Sequence, residues 1–276
     1  MDKITKKTIL VTGASSGIGK ACASYFLRKG YNVIGASRSV DENDSSNNIK
    51  YIKMDVTDEA SVKEAFDKID NLDVLILSHG MGIAGAGEIM PLELSKRQMD
   101  VNYFGALNVT KYALPIMRKN KKGLIIAISS VAGRLVIPMQ SHYSSSKFAL
   151  EAYIESLRIE LKDFNIKTSI IEPGDTKTGF TDSRNIYNPE DSIYHDVCDR
   201  SIKKMEHDER NGKDPISVAE VAYKISKRKN PPIRVAVGFE YKLICFLNKI
   251  LPSRFVDYIL SKMYMPKEKK GHKNHE

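Results

Sequence analysis

Tyr143 and Lys147 stand four residues apart in Ser-His-Tyr-Ser-Ser-Ser-Lys, within a chain of 276 residues. A free phenol has a pKa of about 10, so roughly one ring in a thousand is ionised at neutral pH. On a helix this spacing puts both side chains on one face, one turn apart. An ammonium group in that place favours the phenolate. Lowering the phenol to near 7 requires roughly 4 kcal/mol of differential stabilisation, and the ring then serves as acid and base. Ser130, thirteen residues earlier in Ala-Ile-Ser-Ser-Val-Ala-Gly, closes a predicted strand. A hydroxyl there is placed to hold a carbonyl oxygen beside the tyrosine.

A second group of residues reads as a phosphate turn. Thr-Gly-Ala-Ser-Ser-Gly-Ile-Gly, from Thr12 to Gly19, lies between a β-branched run and a helical pattern. Glycines at Gly13, Gly17 and Gly19 let the backbone turn tightly and approach a pyrophosphate, and the helix N-terminus faces the anion. The assigned contacts are Gly13, Ser15, Ser16, Gly17, Ile18 and Gly19. The second strand ends Gly-Ala-Ser-Arg-Ser, with Ser37 and Arg38 and no carboxylate. A carboxylate there would bind the ribose 2′-hydroxyl of NAD, whereas Arg38 pairs with a 2′-phosphate, so NADP(H) is expected. The oxidised nicotinamide would bring a second positive charge to Tyr143.

The elements that must position these groups alternate along the chain. Strands are expected in the apolar runs that begin at Lys7, Tyr31, Asn48, Leu72, Gly123, Asn165 and Ile233. Helical patterns fall at 17–30, 58–70, 92–119 and 141–164, and a polar, loop-rich segment at 179–214 reads as a substrate lid. Strands buried on both faces and alternating with helices predict an α/β fold, a doubly wound parallel sheet of the Rossmann kind. The expected organisation is one domain over 1–240, dinucleotide-binding and catalytic, and an amphipathic helical extension over 241–276.

With these motifs in order and spacing, the chain resembles the short-chain dehydrogenase/reductase family over residues 5 to 240. The resemblance implies a seven-stranded sheet and hydride transfer between a nicotinamide cofactor and a carbonyl or alcohol. It implies that Tyr143 donates or accepts the proton, that Ser130 orients the substrate oxygen, and that Lys147 binds the nicotinamide ribose and tunes Tyr143. Asn102, in Asp-Val-Asn-Tyr-Phe-Gly, would hold a water in the proton relay. Asp55 and Val56 match positions that meet the adenine. Pro173 and Gly174 follow a strand, and Thr178 matches the position that binds the carboxamide. One departure stands out. The family usually has Asn-Asn-Ala-Gly after the fourth strand, and this chain has Leu77-Ser78-His79-Gly80. Gly80 keeps the close approach to cofactor, Ser78 can replace one amide hydrogen bond, and His79 is expected to pack beside the adenosine ribose.

Composition narrows the alternatives. The net charge is +9, of which +5 falls in the last 36 residues, and aromatic residues do not interleave with basic ones elsewhere. A nucleic-acid groove is therefore not expected. Cys22, Cys198 and Cys245 match no disulfide or zinc spacing, no metal site is expected, and a reducing, cytoplasmic setting is. The early start of the first strand leaves no room for a signal peptide, and no apolar run is long enough to span a bilayer. Leu135, Val136, Ile137 and Met139 between Ser130 and Tyr143 suggest a steroid-, retinoid- or lipid-like substrate. Other readings are an epimerase or dehydratase on the same fold, a non-catalytic dinucleotide sensor, and a module that binds nucleic acid or membrane. The family often pairs subunits through the helices at 92–119 and 141–164, so a homodimer or homotetramer is expected. In the extension, apolar residues recur at helical spacing on both sides of Pro252, with Ser253 placed to cap the second helix. These stripes either pack on the domain or a second subunit, or rest on a membrane as a peripheral contact.

Overall fold

The computed structural model describes residues 6–44 and 47–265. The first strand explains the layering. In β1 (Thr8–Thr12), Ile9 and Val11 point into one apolar core while Leu10 points into another. Alternation with both faces apolar is what a sheet covered on two sides requires. The other strands of the main sheet are β2 (Asn32–Ser37), β3 (Lys50–Lys53), β4 (Val74–Leu77), β6 (Gly123–Ile128), β7 (Ile166–Pro173) and β9 (Arg234–Val237). They pair in parallel in the order β3-β2-β1-β4-β6-β7-β9, seven strands in all. The order reverses direction between β1 and β4, and a crevice opens there at the strands' C-terminal ends. A separate pair, β5 (Ile83–Ala84) and β8 (Asn185–Ile186), lies outside the main sheet.

Helices α1 (Gly17–Arg28) and α7 (Ile216–Ser226) cover one face through Cys22, Phe26 and Ala222. Helices α2 (Glu59–Phe66), α4 (Gly105–Lys119) and α5 (Ser141–Glu160) cover the other through Val62, Val109 and Leu150. Gly30 ends α1 as its position in the sequence suggests. With φ +83, it lets the Gly30 and Tyr31 N–H groups reach the carbonyls of Leu27 and Phe26 at 2.9 and 3.2 Å.

Three elements differ from the sequence reading. The helix expected over 92–119 is α3 (Leu92–Met99) and α4 joined by a π-helical turn, Asp100–Phe104. No glycine or proline marks that turn from within, so its pattern reads as uninterrupted helix. The segment expected to be loop-rich holds α6 (His195–Arg210), four turns whose narrow apolar side is Cys198, Ile202 and Met205. Its many charged residues conceal that stripe. The extension forms α8 (Phe239–Ile250) and α9 (Ser253–Tyr264) around Pro252, but Ser253 makes no capping bond and is the first helical residue.

The extension is tied to the domain. The Tyr241 hydroxyl donates to Asp175 Oδ2 at 2.6 Å and accepts from the Asp175 N–H at 3.0 Å. Cys245 and Leu260 are buried, and Asn248 donates to the Arg134 carbonyl at 3.2 Å. Tyr264 and Met265 pack on a third core formed by Ala84, Ala86, Met139, Cys198, Ile202 and Met205. No helix among the described residues is long and apolar enough to cross a membrane.

Candidate active site

The parallel sheet delivers the flagged residues to one edge. Gly13 follows β1, Ser37 ends β2 with Arg38 after it, and Asp55 and Val56 follow β3. Ser78 and Gly80 follow β4, Ser130 follows β6, and Pro173 ends β7 with Gly174 and Thr178 beyond it. Asn102 comes from the π-helical turn, and Tyr143 and Lys147 from the first two turns of α5.

The turn into α1 forms a cradle with no space for side chains. Gly13 has φ +66, and a Cβ there would lie 2.9 Å from the Ser78 carbonyl oxygen. A Cβ at Gly19 would lie 2.1 Å from the Gly13 carbonyl oxygen. Ser16 is extended and makes no capping bond, and Ser15 beside it is exposed. Ile18 packs with the core under α1, which leaves its N–H for the turn. Gly17 faces Thr178, whose side chain a Cβ at Gly17 would meet at 3.4 Å. The Ser78 hydroxyl is buried without a partner at the base of this turn. Open backbone, a free helix N-terminus and an unpaired hydroxyl fit a dinucleotide phosphate chain. Arg38 is exposed at the rim of the crevice. Partial burial pushes the Asp55 carboxyl up, but the Thr57 hydrogen bonds and the Arg38 charge hold it below its ordinary value. Val56, one residue on, is buried against Gly105, and its carbonyl accepts from Asn108 at 2.9 Å.

His79 lies inside this frame as a structural group. Its Nδ1 is 2.7 Å from the Thr12 hydroxyl, which also accepts from the Ser78 N–H at 3.1 Å. Burial, with the Lys147 charge adding to it, pushes its pKa down to about 3. A ring neutral at every physiological pH and bonded to Thr12 fixes the loop after β4.

The candidate catalytic groups converge around Gly80. A Cβ there would sit 3.4 Å from Asn102 Oδ1 and 3.8 Å from Lys147 Nζ. Lys147 is buried, donates to the Ile128 carbonyl at 3.1 Å, and lies 5.7 Å from the Tyr143 ring centre. Burial alone lowers its pKa to about 8. Asn102 Oδ1 accepts from the Met81 N–H at 2.9 Å, and its amide donates to the Met81 carbonyl at 3.1 Å and to Ser146 Oγ at 3.0 Å. Ser146 in turn donates to the Tyr143 carbonyl at 2.7 Å. Burial raises the Tyr143 phenol to about 12, against a lowering hydrogen bond from Ser130. In the chain by itself burial outweighs that bond, and the phenol stays well above its ordinary value.

Sequence reasoning left several groups of this site unassigned. The Phe180 ring lies 5.8 Å from that of Tyr143, centre to centre. Behind Phe180 stands Arg184, with its guanidinium carbon 5.7 Å from the ring centre and paired with Glu209. Both charges act on Tyr143. A second buried network supports Ser130. The neighbouring Ser129 hydroxyl donates to Glu151 at 2.6 Å, Glu151 pairs with Arg234, and Arg234 and Arg134 reach Glu172 at 3.4 and 3.0 Å. Single arginines and glutamates, even inside apolar strands as Arg234 and Glu172 are, carry no spacing signal. Ser144 accepts the Ile137 N–H at 3.2 Å and so ties the loop before α5 to that helix. Leu135 and Met139 are buried and Ile137 half-buried beside the third core, while Val136 turns outward.

A glycine cradle at a Rossmann crevice, with Ser130, Tyr143 and Lys147 beside it, fits a nicotinamide-dependent oxidoreductase. The profile of the short chain dehydrogenases matches residues 7–188. A 3-ketodihydrosphingosine reductase of Bacteroides thetaiotaomicron is 42% identical over 263 residues, covering 93% of this chain and 97% of that protein. A short-chain dehydrogenase from Streptomyces avermitilis superimposes with a TM-score of 0.77 at 28% identity, over 94% of this chain and 96% of its own. ElxO, solved with NADP bound, gives 0.71 at 26% identity, over 87% of this chain and 100% of its own. The chain belongs to the short-chain dehydrogenase family and is an oxidoreductase of that family.

Proposed function

We propose that this oxidoreductase uses NADP(H) to interconvert a carbonyl and an alcohol on a hydrophobic, lipid-like substrate. The observation that carries the reading is the convergence of Lys147 and Asn102 on Gly80 beside the Ser130–Tyr143 pair. Hydride is the chemistry that the bound cofactor supplies. Ser130 Oγ holds the substrate carbonyl oxygen, and Tyr143 Oη delivers a proton to that oxygen as charge develops on it. Tyr143 is protonated at neutral pH, the state a proton donor in carbonyl reduction requires. Lys147 holds the nicotinamide ribose and contributes positive charge. Asn102 braces the loop after β4 against α5. Arg38 binds the 2′-phosphate, with Ser37 beside it. The apolar groove lined by Val136, Ile137, Pro138 and Phe148 supports a substrate with a hydrocarbon body, as does the activity named for the Bacteroides relative.

The extension fits delivery of such a substrate from a membrane. Helix α8 turns Phe239, Leu243, Phe246 and Ile250 outward in one stripe, and α9 adds Phe255 and Tyr258. Lys242, Lys249, Arg254 and Lys262 are exposed on the same helices. Apolar ridges flanked by cations suit an anionic bilayer surface. The lysines that follow, Lys267, Lys269, Lys270 and Lys273, lie outside the described residues. Exposed Phe104 and Phe148 on the π-helical turn and α5 support pairing of subunits through that face.

The test is NADPH consumption, followed by absorbance, against a panel of steroid, retinoid and long-chain aliphatic ketones. Tyr143→Phe is expected to keep NADPH binding and lose 10²–10⁴-fold in kcat, the usual worth of general acid–base catalysis. A variant that retains a tenth of wild-type kcat would overturn the role of Tyr143.

A further inference from the structure

Arg184 stands in an unusual state for a buried arginine. The residue is 6% exposed and its side chain is wholly enclosed. One terminal nitrogen, Nη2, pairs with Glu209 Oε1, and Glu209 is held by the Thr181 hydroxyl at 2.6 Å through its other oxygen. Nε and Nη1 have no partner. Three of the five guanidinium N–H bonds are therefore unsatisfied in a place where each unmade bond is costly. Arg184 precedes β8, the strand that pairs with β5 beside the reacting end, and it contacts the Phe180 ring that touches Tyr143. The buried side of α6, the helix that carries Glu209, is apolar apart from Ser201, whose hydroxyl is also without a partner. Behind Phe180 the packing is thus apolar apart from one concentrated source of unpartnered hydrogen-bond donors.

The charges nearby decide what Arg184 accepts. Glu209 already balances the guanidinium, and Asp175 and Asp208 lie close enough to act on the same neighbourhood as Glu209. A carboxylate or phosphate brought here would add to existing negative charge. A neutral oxygen would satisfy the open N–H bonds without that repulsion.

We propose that Arg184, held by Glu209, is the recognition group for a second, neutral oxygen on the substrate, so that the preferred substrate is a hydrophobic ketone bearing a hydroxyl or carbonyl at a fixed distance from the reacting carbon. This rests on the reading of Tyr143 as the proton donor in carbonyl reduction, and it adds a polar determinant to a substrate otherwise recognised by its hydrocarbon body. Arg184 acts by binding and takes no part in proton transfer.

The experiment uses the full chain with NADPH, decan-2-one, and a series of its isomers with one hydroxyl moved along the chain. A hydrogen bond to a charged group is worth about 1.5–3 kcal/mol, or about ten- to 150-fold. At least one hydroxyketone is expected to exceed decan-2-one in kcat/KM by that factor. The advantage is expected to fall to within about threefold of unity in Arg184→Met/Glu209→Gln, a pair chosen so that no carboxylate is left unpaired. Arg184→Lys, which keeps the charge and changes the donor geometry, is expected to retain an intermediate preference. If no hydroxyketone outperforms decan-2-one in the wild type, or if the preference survives in the double variant, the Arg184 assignment is overturned. If no ketone supports NADPH oxidation at all, the underlying reading of the reaction falls instead.

Discussion

Asn102 Nδ2 lies 3.0 Å from Ser146 Oγ, and through this bond the π-helical turn is fastened to the helix that carries Tyr143. The π insertion shifts the register of the long helix by one residue and presents Asn102 inward. Asn102→Ala removes three hydrogen bonds at once and frees the loop at Met81. The expected result is a fall in kcat of the order of 10²-fold, the scale of a 1 Å misplacement, with NADPH affinity changed much less. Single-turnover rates beside equilibrium NADPH titration would separate the two. A loss confined to NADPH affinity would contradict the bracing role.

Arg38 should decide between the two dinucleotides. Arg38→Ala is expected to weaken NADPH by about 1.5–3 kcal/mol, the range for a hydrogen bond to a charged group, and leave NADH nearly unaffected. Titrating both cofactors by fluorescence checks this. Equal losses for both would remove Arg38 from 2′-phosphate binding.

Acid stability should depend on His79. Its pKa is about 3 in the folded chain against an ordinary 6.5. Between those values the unfolded chain binds the extra proton, so the stability His79 contributes is complete above about pH 6.5 and is lost progressively as pH falls toward about 3. Urea midpoints at pH 5 and pH 7.5 are expected to differ less in His79→Asn than in the wild type. An unchanged difference would place the acid sensitivity elsewhere.

Membrane contact is best tested without shortening the chain, because Tyr241 bonds to Asp175 and a cut near Glu240 would remove it. Phe246 and Ile250 are exposed on α8, so Phe246→Ser/Ile250→Ser should leave the fold intact. Burying each apolar side chain is worth about 1.5–3 kcal/mol. Sedimentation with phosphatidylglycerol vesicles should therefore fall at least tenfold in the variant, and wild-type binding should weaken with salt. Absence of wild-type binding at low salt would exclude the contact. A concentration-dependent dimer abolished by the same variant would assign the stripe to a second copy.

How much of this could be read from the chain depended on whether a feature repeats. The sheet was legible because its central strands are runs of buried apolar residues, as in Val74–Leu77. Tyr143, Lys147 and the glycines were legible because their spacing is tied to helix and turn geometry. The π-helical turn was not, since one inserted residue leaves helical periodicity nearly intact. Arg184 and Glu209 were not, since they are 25 residues apart and meet only when α6 folds over β8. The surroundings of Tyr143 were legible only in part. Charge proximity along a helix is visible in sequence, but the burial that raises the phenol to about 12 is a property of the assembled site.

The chain of contacts from Ser129 through Glu151, Arg234 and Glu172 to Arg134 makes distant parts of the polypeptide inseparable in any recombination with a relative. A chimera that imported residues 129–140 from another family member, but kept this chain beyond residue 150, would bring a foreign loop to two enclosed carboxylates. Losing one cation from such a pair costs about 3–5 kcal/mol. The loop and position 234 thus act as one unit, and altering specificity by grafting the loop requires the edge strand to travel with it.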